Sequence, residues 1–220
     1  MTIKTAAKTG AAPQEAPAGN SKKIYAAVFA LAILLFAVTA WTAASGRATG
    51  WEYSLFMSIN GWAEGWYRFF TIVTFFGSTW IALVSVVGAF AIRMYRLAWR
   101  LAVTIIGAYG VAFLAKHFID RGRPAELFSA AHARIAETGM GFPSGHATVS
   151  TVIALTLWPY LPKKARYVLV PTFIGAVCLS RLYLGVHIPL DVVGGVALGA
   201  AAVTFIRILP EAVRRAFRLN

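Results

Sequence analysis

Long apolar stretches separated by short charged clusters run the length of this 220-residue chain. About 20 apolar residues cross the hydrocarbon of a bilayer as a helix. By that measure the pattern predicts six spans, at 24–44, 69–92, 97–118, 146–161, 167–184 and 189–208, the fourth of them short. The first run is too long for a signal-peptide core, which has 7–15 residues, and it lacks a small-residue cleavage site. It reads as a retained anchor. Ahead of it, residues 1–21 are rich in Ala, Thr, Lys, Gly and Pro without periodicity, the composition of a disordered tail. The domain proper is then 22–209, an all-α polytopic bundle of six transmembrane helices, followed by a basic tail at 210–220.

Between the first two spans, residues 46–68 place Trp51, Leu55, Ile59, Trp62 and Trp66 at helical spacing, with Glu52, Ser54, Ser58 and Glu64 elsewhere on the wheel. A helix lying in the outer membrane interface accounts for this, and so does an aromatic belt at a helix end. In the last span Asp191, Gly195 and Gly199 recur every four residues. Small residues at that spacing let helices approach closely, which turns Asp191 into the bundle.

Composition agrees with the spans. Hydrophobic residues make up 59% of the chain and charged residues 13%, against roughly 25% charged in soluble domains. The net charge of +13 first suggests nucleic acid, but its distribution points to topology. With both termini on one side, that side holds fourteen of the 21 basic residues and two of the eight acids, for +12; the other holds seven and six, for +1. Positive loops such as "RMYRLAWR" and "PKKAR" stay cytoplasmic. Both termini are therefore expected inside, and no nucleic-acid partner is expected. Cys178, the sole cysteine, precludes an intramolecular disulfide and reads as a packing residue.

On this topology the polar residues that do not suit a membrane collect at the outer ends of four spans. They are Lys116 and Arg123 in "KHFIDRGRP", Ser144, Gly145 and His146 in "FPSGH", and Arg181, His187 and Asp191 in "SRLYLGVHIPLD". Three cations suit a phosphate group, and Ser144–Gly145 reads as a helix N-terminus, itself an anion site. His146 and His187 can serve as nucleophile, acid or base. Asp191 follows His187 by four residues and can fix its tautomer. Each piece also has a plainer reading: a snorkelling lysine at 116, a simple cap at 144, a structural His187–Asp191 pair. Arg181 resists one, because ionisable residues inside spans are functional by default. His117 and His132 lack partner signals and read as structural or solvated.

Taken together, K-x6-R-P (Lys116 to Pro124), P-S-G-H (143–146) and S-R-x5-H-x3-D (180–191) resemble the three-part signature of the type 2 phosphatidic acid phosphatase (PAP2) superfamily, in its integral membrane lipid phosphatase branch. The resemblance implies a phosphatase acting on a lipid phosphate through a phosphohistidine. His187 would be the nucleophile, Asp191 its orienting partner and His146 the acid–base. Lys116, Arg123, Ser144, Gly145 and Arg181 would bind the phosphoryl oxygens. It implies no metal and no other cofactor, with membrane lipids as partners. The expected location is a bacterial inner membrane, with the site facing the periplasm or exterior. Phosphatidic acid, phosphatidylglycerophosphate, undecaprenyl diphosphate and lipid A phosphates all remain candidate substrates. A phosphotransferase using the same intermediate and a non-catalytic lipid-binding or transport protein are the alternatives.

Overall fold

The computed structural model describes residues 18–216, and within them every regular element is a helix. Residues 1–17, most of the expected tail, lie outside the described residues, as do 217–220. Helix α1 (Ala18–Ala43) takes in the last four residues of the expected tail. It is followed by α2 (Gly50–Asn60), α3 (Tyr67–Phe75), α4 (Thr79–Ala91), α5 (Tyr95–Ile119), α6 (Pro124–Leu127), α7 (Gly145–Leu157), α8 (Arg166–Tyr183), α9 (Pro189–Ile208) and α10 (Glu211–Ala216). The last of these makes part of the expected C-terminal tail helical.

α7 and α9 form the centre. The glycines expected to allow close approach do so here: a Cβ at Gly195 would stand 2.5 Å from the Ser144 carbonyl oxygen. One at Gly199 would stand 2.7 Å from that of Thr148. α1 lies along the outer side of α9, with Phe29 against Phe205 and Phe36 against Phe142, ring centroids 5.8 Å apart in both pairs. One apolar cluster joins α4, α5, α7 and α9 through Leu101, Ala108, Val149, Val152 and Val203. A second gathers α2, α3, α8 and the start of α9 around Phe56, Phe70, Tyr183 and Ile188. Outside this core the surface is apolar too: Trp41 and Phe118 are each 85% exposed. Such a surface suits a bundle whose solvent is hydrocarbon.

Two expectations are corrected by the chain's local structure. The run 69–92 is not one helix but α3 and α4, bent by 43° at a break over Phe76–Ser78. Ser78 caps α4 by accepting from the Ile81 amide. Gly77 lets the bend pass the rest of the bundle, since a Cβ there would lie 2.7 Å from the Val177 side chain and 2.9 Å from the His146 carbonyl oxygen. The segment 46–68 is likewise not one helix. α2 ends at Asn60, a single 3-10 turn covers Glu64–Trp66, and Tyr67 already belongs to α3.

By length and composition, three described helices suffice to cross a membrane (Ser21–Ala43, Tyr95–Leu127 and Pro189–Ile208), or four if α3 and α4 count as one broken span. α7 has 13 residues, about 20 Å at 1.5 Å per residue. α8 carries Pro171 within it and Arg181 near its end.

Candidate active site

The residues singled out in the sequence come together at one end of the bundle, where α5 and α8 finish and α7 and α9 begin. α5 stops at Asp120, whose left-handed conformation (φ 46°) turns the chain; its amide still donates to the Lys116 carbonyl at 2.9 Å. Ser144 caps α7, with its hydroxyl accepting from the Ala147 amide, and its own amide donates to the Asp191 carbonyl at 2.9 Å. The PSGH turn and the start of α9 are thereby pinned to each other. Gly145, the first residue of α7, has only Tyr109 near its Cβ position, at 3.9 Å.

His187 sits in the turn between α8 and α9, and His187 and Asp191 are both fully buried or nearly so. His187 Nδ1 lies 3.4 Å from Asp191 Oδ2, longer than a well-formed hydrogen bond. The same oxygen accepts from the Ile188 amide at 3.0 Å. Burial, then the charges of Arg181, Arg123 and Lys116, push His187 well below the ordinary histidine pKa, against a smaller opposite pull from Glu137. Its imidazole is therefore neutral at physiological pH. His146, half-buried at the start of α7, feels the charges of Arg181, Glu137 and Arg123.

The three cations are not free. Lys116 Nζ donates to the Met140 carbonyl at 2.6 Å. Arg123 donates to the carbonyls of Thr138, Gly139 and Val186 and, at 3.0 Å, to the Glu137 carboxylate. Arg181, wholly buried, donates to Thr74 Oγ1 at 2.7 Å and also pairs with Glu137. Its Nε has no hydrogen-bond partner among the described residues. Glu137 was not singled out by the sequence, yet its carboxylate bridges Arg123 and Arg181. Burial alone would raise its pKa, but Arg181, through charge and hydrogen bond, and then Arg123 bring it down to about 2. One loop carboxylate thus occupies the pair of arginines expected to hold phosphate.

A second group also escaped the sequence reading. Arg121, Glu52 and Asp191 have no side-chain exposure at all. Arg121 Nη1 donates to Asp191 Oδ1 at 3.1 Å, while Nη2 donates to Glu52 Oε2 at 2.8 Å and to the Arg47 carbonyl at 3.0 Å. Glu52 also accepts from the Thr49 amide, capping its own helix, and from the Leu190 amide at the start of α9. On the wheel Glu52 lies apart from the apolar stripe that suggests an interfacial helix. The buried face of α2 is Glu52, Phe56, Ile59 and Asn60, and Trp51 and Leu55 point outward. His132 and Asn60 exchange hydrogen bonds that tie the outer loop to α2. Among the described residues His117 hydrogen-bonds only the Phe113 carbonyl of its own helix. Among the described residues no group of three or more His, Cys, Asp or Glu side chains could hold a metal ion.

The sequence profile of the PAP2 superfamily matches residues 97–215, which include every one of these motif residues. The chain belongs to the PAP2 superfamily. Decaprenylphosphoryl-5-phosphoribose phosphatase of Mycobacterium tuberculosis is 37% identical to it over 122 residues, 55% of this chain and 66% of that protein. The chain thus spans just under two thirds of that relative's length. Phosphatidylglycerophosphatase B of Bacillus subtilis is 32% identical over 148 residues, 61% of this chain and 70% of that protein. Among solved structures, Aquifex aeolicus LpxE superposes with a TM-score of 0.67 at 23% identity, covering 72% of this chain and 96% of that one. A transmembrane PAP2-type phosphatidylglycerolphosphate phosphatase from Bacillus subtilis superposes at 0.61 and 25% identity, covering 80% and 92%. The fold is therefore common to both structures and this chain, and the long apolar helices support a place in a membrane.

Proposed function

We propose that this PAP2 protein is a metal-independent membrane lipid phosphatase that works through a phosphohistidine. The observation that carries the reading is the arginine pair Arg123–Arg181 closed on a carboxylate beside a buried, neutral histidine paired with Asp191. Such a pocket binds an oxyanion and presents a nucleophile to it. In the first step the His187 Nε2 lone pair forms a bond to phosphorus. The P–O bond to the lipid breaks with its electron pair, and His146 gives that oxygen a proton. In the second step His146 takes a proton from water, the water oxygen bonds phosphorus, and the N–P pair returns to His187. Arg123, Arg181 and Lys116, with the α7 N-terminus at Ser144–Gly145, hold the phosphoryl oxygens as charge develops. The phosphoryl group takes the place held by the Glu137 carboxylate between Arg123 and Arg181.

The substrate class follows the relatives, whose names specify decaprenylphosphoryl-phosphoribose, phosphatidylglycerophosphate, sphingosine-1-phosphate and undecaprenyl diphosphate. A phosphate on a long lipid is common to all. The chain crosses a bacterial plasma membrane six times, with α3–α4 as one broken span and α7 and α8 as short spans enclosed by longer ones. Its termini are cytoplasmic and its site opens outward. The charge asymmetry and the apolar outer surface support this arrangement. Phosphate release from purified lipid phosphates in detergent, with and without EDTA, tests the reading. Turnover that resists EDTA, is blocked by vanadate and is abolished in His187→Ala is the expected result. Turnover that EDTA abolishes and magnesium restores would overturn it.

A further inference from the structure

Two acids and one arginine are buried together behind His187, and the phosphatase chemistry above uses only Asp191. Replacing a buried ion cluster with apolar groups of the same volume is often neutral or stabilising, so stability alone does not explain the other two. Their geometry does. Arg121 takes Asp191 Oδ1, which leaves Oδ2 turned to the Ile188 amide and His187 Nδ1. Glu52 grips the other arm of the same guanidinium at 2.8 Å, closer than the 3.1 Å to Asp191. The cluster Glu52–Arg121–Asp191 thus carries one net negative charge. That charge lies beside the one ring that becomes positive when its Nε2 bonds phosphorus.

We propose that Glu52 and Arg121 are positioning residues for the phosphatase reaction. Arg121 orients the Asp191 carboxylate toward His187, and Glu52 offsets Arg121's charge so that Asp191 can still stabilise the phosphoimidazolium. This rests on the phosphohistidine reading of the site. The other charged groups facing His187 are Arg181, Arg123, Lys116 and Glu137, and all four are the same in the variants below.

The test uses full-length protein in detergent and dioctanoyl phosphatidic acid, with kcat and KM followed from pH 4.5 to 8.5. Arg121→Gln leaves two buried carboxylates with no cation between them. Its kcat is expected to fall about 100-fold or more, by analogy with the loss when a catalytic His–Asp pair is disturbed, with KM little changed. Its acid limb should move up by about one pH unit. Glu52→Gln leaves Arg121 uncompensated, so its acid limb should move down and its kcat should fall about tenfold. The double variant Glu52→Gln/Arg121→Gln restores the net charge, so its limb should return toward the wild-type position. Failure of the limb to move in either single variant, with only thermal stability lost, would make the cluster a structural strut and overturn the proposal. Should Arg121→Gln not accumulate in membranes, Glu52→Gln against the double variant carries the same comparison of sign.

Orthovanadate binding, read as a rise in melting temperature, separates this proposal from the function it rests on. Wild-type protein that hydrolyses no lipid phosphate but is stabilised by vanadate would sink the lipid phosphatase reading alone. The positioning role of Glu52 and Arg121 is then upheld if the vanadate shift shrinks in Glu52→Gln and returns in the double variant. Equal shifts in all forms, or none in the wild type, would overturn it.

Discussion

Glu137 is the side chain whose removal should improve the protein's grip on phosphate. Its carboxylate bridges Arg123 and Arg181, so an incoming phosphate must displace it. In Glu137→Gln the inhibition constant for inorganic phosphate is expected to fall by about tenfold, equivalent to about 1.4 kcal/mol. An unchanged or higher constant would make Glu137 a brace for the arginines. With its pKa near 2, its contribution to stability is complete above the ordinary carboxylate range and is lost only as pH falls through about 2. His187 has the same sign for a different reason. The unfolded chain takes a proton near pH 6.5 that the buried imidazole refuses, so its contribution is present above that pH and lost below it. The acid limb of kcat/KM is accordingly expected below the ordinary histidine value of about 6.5; a limb centred at 6.5 or above would mean that His187 is not held neutral. The two histidines should also separate by substrate. His187→Ala should abolish turnover of every lipid. His146→Ala should lose roughly 10²–10⁴-fold on a monophosphate, whose leaving oxygen needs a proton. It should lose far less on a diphosphate, whose leaving phosphate has a second pKa near 6. Initial rates on an isoprenyl monophosphate and its diphosphate decide it, and equal losses would take the leaving-group acid role from His146.

Between elements, the α7–α9 seam sets how closely the PSGH turn and His187 approach. Gly199→Ala would press a methyl against the Thr148 carbonyl and Thr151, and overpacking of this kind costs about 1–3 kcal/mol. Gly110→Ala on α5 meets nothing within 4 Å and should stabilise its helix slightly, by roughly 0.5–1 kcal/mol. Melting temperatures in detergent should therefore move in opposite directions; a Gly199→Ala protein as stable as wild type would show that the seam can open. This seam was legible in the sequence because its signal, Asp191–Gly195–Gly199, lies within one helix. So were the motif residues, whose types and spacing are local. The burial of the other face of α2 was not. Trp51 and Leu55 point outward, as an interfacial helix expects, but nothing local in the sequence shows that the charged Glu52 turns inward to Arg121. Arg121 itself read as one more basic residue at a span end, since both its partners lie about 70 positions away in sequence. The break at Gly77–Ser78 was hidden for a simpler reason: both halves are apolar, and hydropathy does not register a bend.

For the whole molecule, the expected orientation can be read from outside the cell. In a Cys178→Ala background, cysteine at exposed Ser129 should react with an impermeant maleimide in intact cells, and cysteine at exposed Lys163 only after permeabilisation. The reverse pattern would move the site to the cytoplasm. The buried contact between α2 and the turn after α5 has a historical consequence as well. Removing one member of a buried ion pair costs about 3–5 kcal/mol, whereas replacing both can be nearly neutral. A lineage that loses the acid at position 52 is then under pressure to lose the arginine at 121 as well. Descendants of a common ancestor should therefore keep both residues or neither, so the two positions would be inherited as a single character.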